Sequence, residues 1–241
     1  MKSIPLFLAS LFCLSFIHAQ NAKKVKGNGN VVTVERNTRE YDGIRVGGFF
    51  EVELVSGKEG NIALTGEDNI LEHIESYVES GTLVIKKPDN LILKTSSGNT
   101  VFITIPVENI DAIRLSGSGK LYSQMVLKGE DLRIRTSGSR NLELSVNTQS
   151  LTAVSSGSSS ISLNGNTENF EATSSGSSHV RAYEMKANSV ALRASGSSNI
   201  WAMANESLIS RVSGSANIRY KGDPEKIISN TSGSGKVSKK S

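Results

Sequence analysis

The chain is nearly without cysteine: among 241 residues there is one, Cys13. It lies inside an apolar N-terminal run, so everything beyond that run lacks a thiol and no disulfide holds it together. A remainder of roughly 220 residues is long enough to bury a large core without such staples. Histidine is almost as scarce, with His73 and His179 alone after residue 18. A serine nucleophile needs a base and a zinc site needs three or four strong ligands, and so few histidines leave both chemistries poorly supplied. No second long apolar stretch follows the N-terminus, which excludes a helical membrane span in the exported chain. The calcium nonapeptide Gly-Gly-x-Gly-x-Asp is missing. Gly47-Gly48 and the later glycines lead into strands rather than into a helix whose N-terminus could cradle phosphate.

What is present begins with MKSIPLFLASLFCLSFIHA, a lysine followed by an apolar run from Ile4 to Phe16 and a small residue at Ala19. The run is shorter than the roughly 20 residues that span a bilayer and reads as a signal peptide over residues 1–19. The expected location is therefore the periplasm, the outer-membrane surface or the medium. Formal charge is +4, and loss of Lys2 with the signal leaves about +3. Basic residues are scattered at strand spacing, and Lys239 and Lys240 make only a short basic tail, so no nucleic-acid partner is expected.

The second half repeats Ser-Gly-Ser around Gly117, Gly138, Gly157, Gly176, Gly196, Gly214 and Gly233, at spacings of 21, 19, 19, 20, 18 and 19. A period near 19 residues calls for a repeat architecture. Four residues after each glycine stand Leu121, Leu142, Ile161, Val180, Ile200, Ile218 and Val237. Six before each, from the second copy on, stand Leu132, Leu151, Phe170, Val190, Leu208 and Ile227. Positions two and four before the glycine are mostly small. All share one parity, and alternation of period two means strand, with aliphatic columns and glycine on the inner face. The expected fold class is all-β: a parallel, right-handed β-solenoid with coils of about 19 residues and a less regular β N-terminal part. The inward glycine would let opposite walls approach or the coil bend, and the flanking serines would form two outward hydroxyl files.

The front reads as strands over Val31–Val34, Gly43–Val46, Phe49–Val55, Ile62–Thr65, Leu83–Lys86 and Val101–Ile105. EDNILEHIESYVESG fits one or two helical turns or a loop with inward apolar residues, and Ser97-Gly98-Asn99, 19 residues before Gly117, fits a degenerate coil. The organisation expected is an N-terminal segment over 20–40, irregular front coils and cap over 41–110, and the repeat solenoid over 111–241, continuous with the front. The succession YDGIRVGGFFEVELVSG, NIALTGEDNILEHIESYVESGTLVIKK and the Ser-Gly-Ser train resembles the head-GIN-domain family of auto-transporter adhesins, exported bacterial proteins. The likeness runs from about Tyr41 to Tyr220 and implies a parallel β-helical fold and an exported, surface-associated location. It implies little about chemistry.

Polysaccharide lyases and hydrolases on β-helices need clustered carboxylates on one exposed face. Here Glu130, Asp131, Glu168, Glu184, Glu206, Asp223 and Glu225 fall mainly in turns, so no catalytic residue, metal ligand or cofactor is assigned and an enzyme is the lesser alternative. His73 between Glu72 and Glu75 fits a solvated polar face better than a metal site. The outward arginine column Arg114, Arg135, Arg193 and Arg211 and the mixed column Tyr122, Glu143, Arg181, Trp201 and Arg219 flank the serine files. A flat polar array with an occasional aromatic ring can grip a glycan. The candidate ligand-binding residues are Trp201, Tyr122, His179, Asn199, Arg193 and Arg211. The function expected is a non-enzymatic, adhesin-like or envelope-interaction module whose partner is a glycan or a surface protein. The alternative is a structural module that associates with further copies of itself.

Overall fold

An aliphatic residue at every nineteenth place on a strand pattern is buried only if successive coils stack so that each covers the next. The computed structural model describes residues 22–240 and shows this arrangement; the signal segment 1–19 lies outside the described residues. Coils of about 19 residues stack into a nearly all-β parallel solenoid of about 6 turns. The strands Ala112–Thr136, Ser139–Ser155, Ser160–Ser174 and His179–Ala194 each run through most of a turn. Later turns are built from the shorter pairs Asn199–Met203 with Ser207–Gly214 and Asn217–Lys221 with Lys226–Gly233, and Lys236–Lys239 comes last.

Register is in phase from coil to coil. Leu121 pairs with Leu142, then follow Ile161, Val180, Ile200, Ile218 and Val237, all but the last fully buried. The second column, Leu132, Leu151, Phe170, Val190 and Leu208, is buried as well, each side chain contributing about 1.5–3 kcal/mol of transfer free energy. Its last member, Ile227, is 48% exposed, because its strand Lys226–Gly233 pairs on one edge only among the described residues.

The corner corrects the sequence reading. The glycines are not inward: each is exposed and has positive φ, +74° at Gly157. A Cβ built there would stand 2.8 Å from the Gly138 carbonyl oxygen of the preceding coil, so the position excludes a side chain on two counts. The inward residues are those two before and two after. Ser155 and Ser159 are fully buried, with hydroxyls 2.8 Å apart; Thr136 Oγ1 lies 3.0 Å from Ser159 Oγ, which donates to the Ser156 carbonyl at 2.9 Å. The corner is thus closed from inside by hydroxyls, and Ser174 and Ser178 repeat the contact at 2.8 Å one coil on.

One inward corner position holds a charge. Arg140 is fully buried, and its guanidinium donates to the carbonyls of Ser116 at 2.8 and 3.0 Å, Phe50 at 2.9 Å and Gly48 at 3.0 Å. Burial pushes its pKa down to about 10, which leaves it charged at neutral pH. Gly119 makes the room: a Cβ there would come within 2.9 Å of Arg140 Nη1.

In the front, the glycine that precedes Gly117 in the corner column is Gly48, paired with it in register, rather than Gly98. Gly98 sits in a separate turn, closed by the Asn99 amide on the Ser96 carbonyl at 3.1 Å. Strands Gly43–Gly48 and Glu51–Ser56 join the parallel stack, whereas Val31–Asn37 with Asn61–Glu67, and Glu75–Glu79 with Thr82–Lys86, pair antiparallel and form the front cap. The EDNIL stretch makes one helical turn, Asp68–Leu71, before the strand Glu75–Glu79. Ile70, Leu71 and Ile74 plug the front of the core.

Glu67 ties the N-terminal strap to this cap. Its side chain is buried and accepts from Ser96 Oγ at 2.6 Å, the Ser96 amide at 2.9 Å and the Gly29 amide at 2.5 Å. The Ser96 hydroxyl first, and then the two amides, hold the carboxyl below its ordinary value of 4.5, against the opposing effect of burial. A depressed acid stabilises the fold above its unfolded pKa, and the contribution is lost as pH falls through the folded value. Thermal unfolding from pH 7 down to about 3 should therefore show an acid-side loss of stability that is smaller in Glu67→Gln. An unchanged acid limb in the variant would contradict this role.

Candidate functional site

On the wall that follows the corner, every second residue faces out. The register sets Tyr122, Glu143, Ser162, Arg181, Trp201 and Arg219 in one file on successive coils. Tyr122 and Trp201 are four coil steps apart, roughly 19 Å at the spacing of paired strands.

Two bulges turn this flat wall into a groove. Between coils one and two the register jumps from Tyr122/Glu143 to Val126/Ser145, so Ser123, Gln124 and Met125 oppose Leu144 alone. Between coils three and four it jumps from Ser162/Arg181 to Asn164/Glu184, so Ala182 and Tyr183 oppose Leu163. An extra residue in a strand bends it and re-aims its side chains. The unbulged coils between, with Leu144, Ser145, Leu163 and Asn164, form the recessed floor of a groove of about 740 Å³. Tyr122 and Gln124 stand at one end, Tyr183 and Trp201 at the other. The volume falls within the range of small-ligand sites.

Polar groups are distributed along the length. Glu143 is paired with Lys120 at 2.9 Å, and Glu184 with Lys221 at 3.5 Å. Among the described residues Arg181 has no carboxylate partner; it donates to Ser160 Oγ and lies 5.3 Å from the Trp201 ring centre. Lys221 stands 4.8 Å from the Tyr183 ring, whose hydroxyl is buried without a hydrogen-bond partner. Burial raises the pKa of that hydroxyl, so it stays a neutral donor.

Of the six candidates named from sequence, Tyr122 and Trp201 line the groove. His179 and Asn199 flank it: the His179 ring is 5.8 Å from that of Trp201, its Nδ1 is 3.4 Å from Asn199 Nδ2, and Asn217 Nδ2 donates to Asn199 Oδ1 at 3.3 Å. Burial, and then the Arg181 charge, push His179 below its usual pKa. Arg193 and Arg211 do not join them. They are neighbours in register on the wall before the corner, and Arg193 is paired with Glu171. Sequence reasoning missed Tyr183, Glu184, Ser145 and Asn164 as groove residues. The signal was in the repeat spacings, since the long ones, 21 and 20, belong to the two bulged coils.

Among the described residues no three His, Cys, Asp or Glu side chains cluster as metal ligands, and no helix is long and apolar enough to cross a membrane. His73 Nε2 lies 3.4 Å from Glu72, and Glu75 pairs with Lys86 instead.

Fold and groove together define a class: a parallel β-solenoid with an outward-facing, aromatic-ended groove. Residues 40–224 match the family described as "Putative auto-transporter adhesin, head GIN domain", and the chain belongs to that family. Among solved structures it is similar to a "putative adhesin" from Bacteroides fragilis, at 23% identity and TM-score 0.82, over 90% of this chain and 100% of that one. It is similar also to a "putative lipid binding protein" from Parabacteroides distasonis, at 24% identity and TM-score 0.72, over 91% and 100%. A third, a "putative adhesin" from Parabacteroides merdae, has 18% identity and TM-score 0.68 over 91% and 100%. No curated protein matches the chain.

Proposed function

We propose that this protein is an exported, non-enzymatic adhesin-like module that holds a glycan chain in the bulge-walled groove. The observation that carries this reading is the placement of rings at both ends of the trough, with polar side chains between them: Tyr122 at one end, Trp201 and Tyr183 at the other. Aromatic rings supply apolar faces for sugars, and hydroxyl, amide and carboxylate groups between them supply hydrogen bonds. Membership of an adhesin family supports a role at the cell surface. The two groove carboxylates, Glu143 and Glu184, each lie against a lysine and stand two coils apart and two residues apart along the strand, roughly 12 Å between backbones, which favours holding a chain over cleaving it.

A glycan array on the purified protein, followed by titration of the best oligosaccharide, tests the reading. Trp201→Ala should weaken that binding by about thirtyfold or more, the effect of truncating an aromatic anchor. Absence of binding to any glycan, or an unchanged affinity in the variant, would overturn it. Release of reducing or unsaturated sugars would overturn the non-enzymatic part.

A further inference from the structure

The wall before the corner carries a second feature that the groove does not use. Arg45 stands beside Arg114 in the register of Gly43–Gly48 against Ala112–Thr136. The amides of Arg133 and Ser137 donate to the carbonyls of Asp111 and Leu115 at 2.8 and 2.9 Å, which sets Arg135 beside Arg114 and Arg133 beside Ala112. Three arginines therefore occupy consecutive rungs about 4.8 Å apart, with a fourth on the same face two residues away. All four are exposed. Among the described residues none of the four guanidinium groups has a carboxylate within 4.0 Å or a hydrogen bond to another protein group.

Like charges directly across a strand pair destabilise a sheet, and the same wall relieves this elsewhere by pairing Arg193 with Glu171. At the first three rungs it does not. The nearest acids along the strands are Asp131, two residues before Arg133 on the same face, and Asp42 and Asp111, three residues back from Arg45 and Arg114; none forms an ion pair with these arginines. At the head of the file, against Arg45, is a depression of about 380 Å³ floored by Gly47, Gly48, Ser116 and Gly117. Tyr77 and Lys86 stand at its side, with Asp89 on the rim.

We propose that this arginine file binds a linear acidic polysaccharide, one carboxylate to each guanidinium along the solenoid axis. A guanidinium takes a carboxylate through two parallel hydrogen bonds, a geometry that lysine does not reproduce. The file is straight and set by the coil repeat, which suits a chain of regularly spaced charges. Docking on anionic lipid calls for apolar side chains beside the basic ones; the large apolar residue exposed on the strands that carry these arginines, Val126, is in register with Ser145 and Asn164 of the groove wall rather than with the arginines. The site is on a different wall from the groove and stands or falls separately from it.

Titration with polygalacturonate, with dextran as the neutral control and phosphatidylglycerol vesicles as the lipid control, tests the proposal. The protein should bind polygalacturonate and neither control, with affinity falling as salt rises. The double substitution Arg114→Gln/Arg135→Gln should weaken binding at least about tenfold while leaving the melting temperature unchanged or higher, since it removes repulsion. Arg114→Lys/Arg135→Lys should fall between, retaining charge without the fork. Trp201→Ala should bind polygalacturonate as the wild type does. The proposal is overturned by no binding to polygalacturonate, by undiminished binding in the glutamine variant, by binding to vesicles alone, or by loss of polygalacturonate binding in Trp201→Ala.

Discussion

Replacing Arg140 with methionine should lower stability by about 3–5 kcal/mol, a large fraction of what a domain of this size possesses. The side chain is fully buried and donates to three carbonyls, at Gly48, Phe50 and Ser116. Methionine fills most of the volume and offers no donor, so those oxygens would be left in a dry interior, each costing about 1–3 kcal/mol. The melting temperature should drop by on the order of 10 °C. Arg140→Lys should recover part of the loss, because an ammonium can reach one or two of the carbonyls. Equal stability of wild type and methionine variant would show that Arg140 does not clamp the front coils to the repeat.

Deleting Tyr183 should leave the fold intact and abolish glycan binding. Coil four has 20 residues between its corner glycines, Gly176 and Gly196, against 19 in the coil before, and the extra residue is the bulge. Without Tyr183, Ala182 faces Leu163 and Glu184 still faces Asn164, so the inward series Val180, Ala182, Met185 and Ala187 keeps its place in the core. The deletion thus restores the unbulged geometry of the coil above it. It removes the wall and one of the two rings at one end of the groove, leaving Trp201. Unfolding curves should change little, while the affinity for oligosaccharide should fall below detection.

The core was legible in the sequence because burial leaves few options: Leu121, Leu142, Ile161, Val180, Ile200 and Ile218 are aliphatic since each covers the next. The corner was legible in place and not in orientation. Ser155 and Ser159 are four apart and keep the inward parity through the turn, and only the intervening glycine, which has no side chain to reveal its face, swings out with positive φ. Arg140 gave no local sign, since its acceptors Phe50 and Gly48 are 90 and 92 residues away. Parity put Tyr122 and Trp201 outside, but their shared groove depends on which coils carry extra residues. That information was in the spacings of 21 and 20, which read as noise until the register showed where the additions fall. The antiparallel cap was hidden for another reason: alternation in Val31–Asn37 or Glu75–Glu79 identifies a strand but not the direction of its partner.

The proposed glycan groove exists because two bulged coils indent an otherwise flat strand wall. Its most direct test is the affinity of one array-selected oligosaccharide for the wild type and for the Tyr183 deletion, with thermal unfolding of both as the control for folding. The account predicts saturable binding to the wild type, none to the deletion, and closely similar unfolding. Equal binding by the two proteins would contradict it.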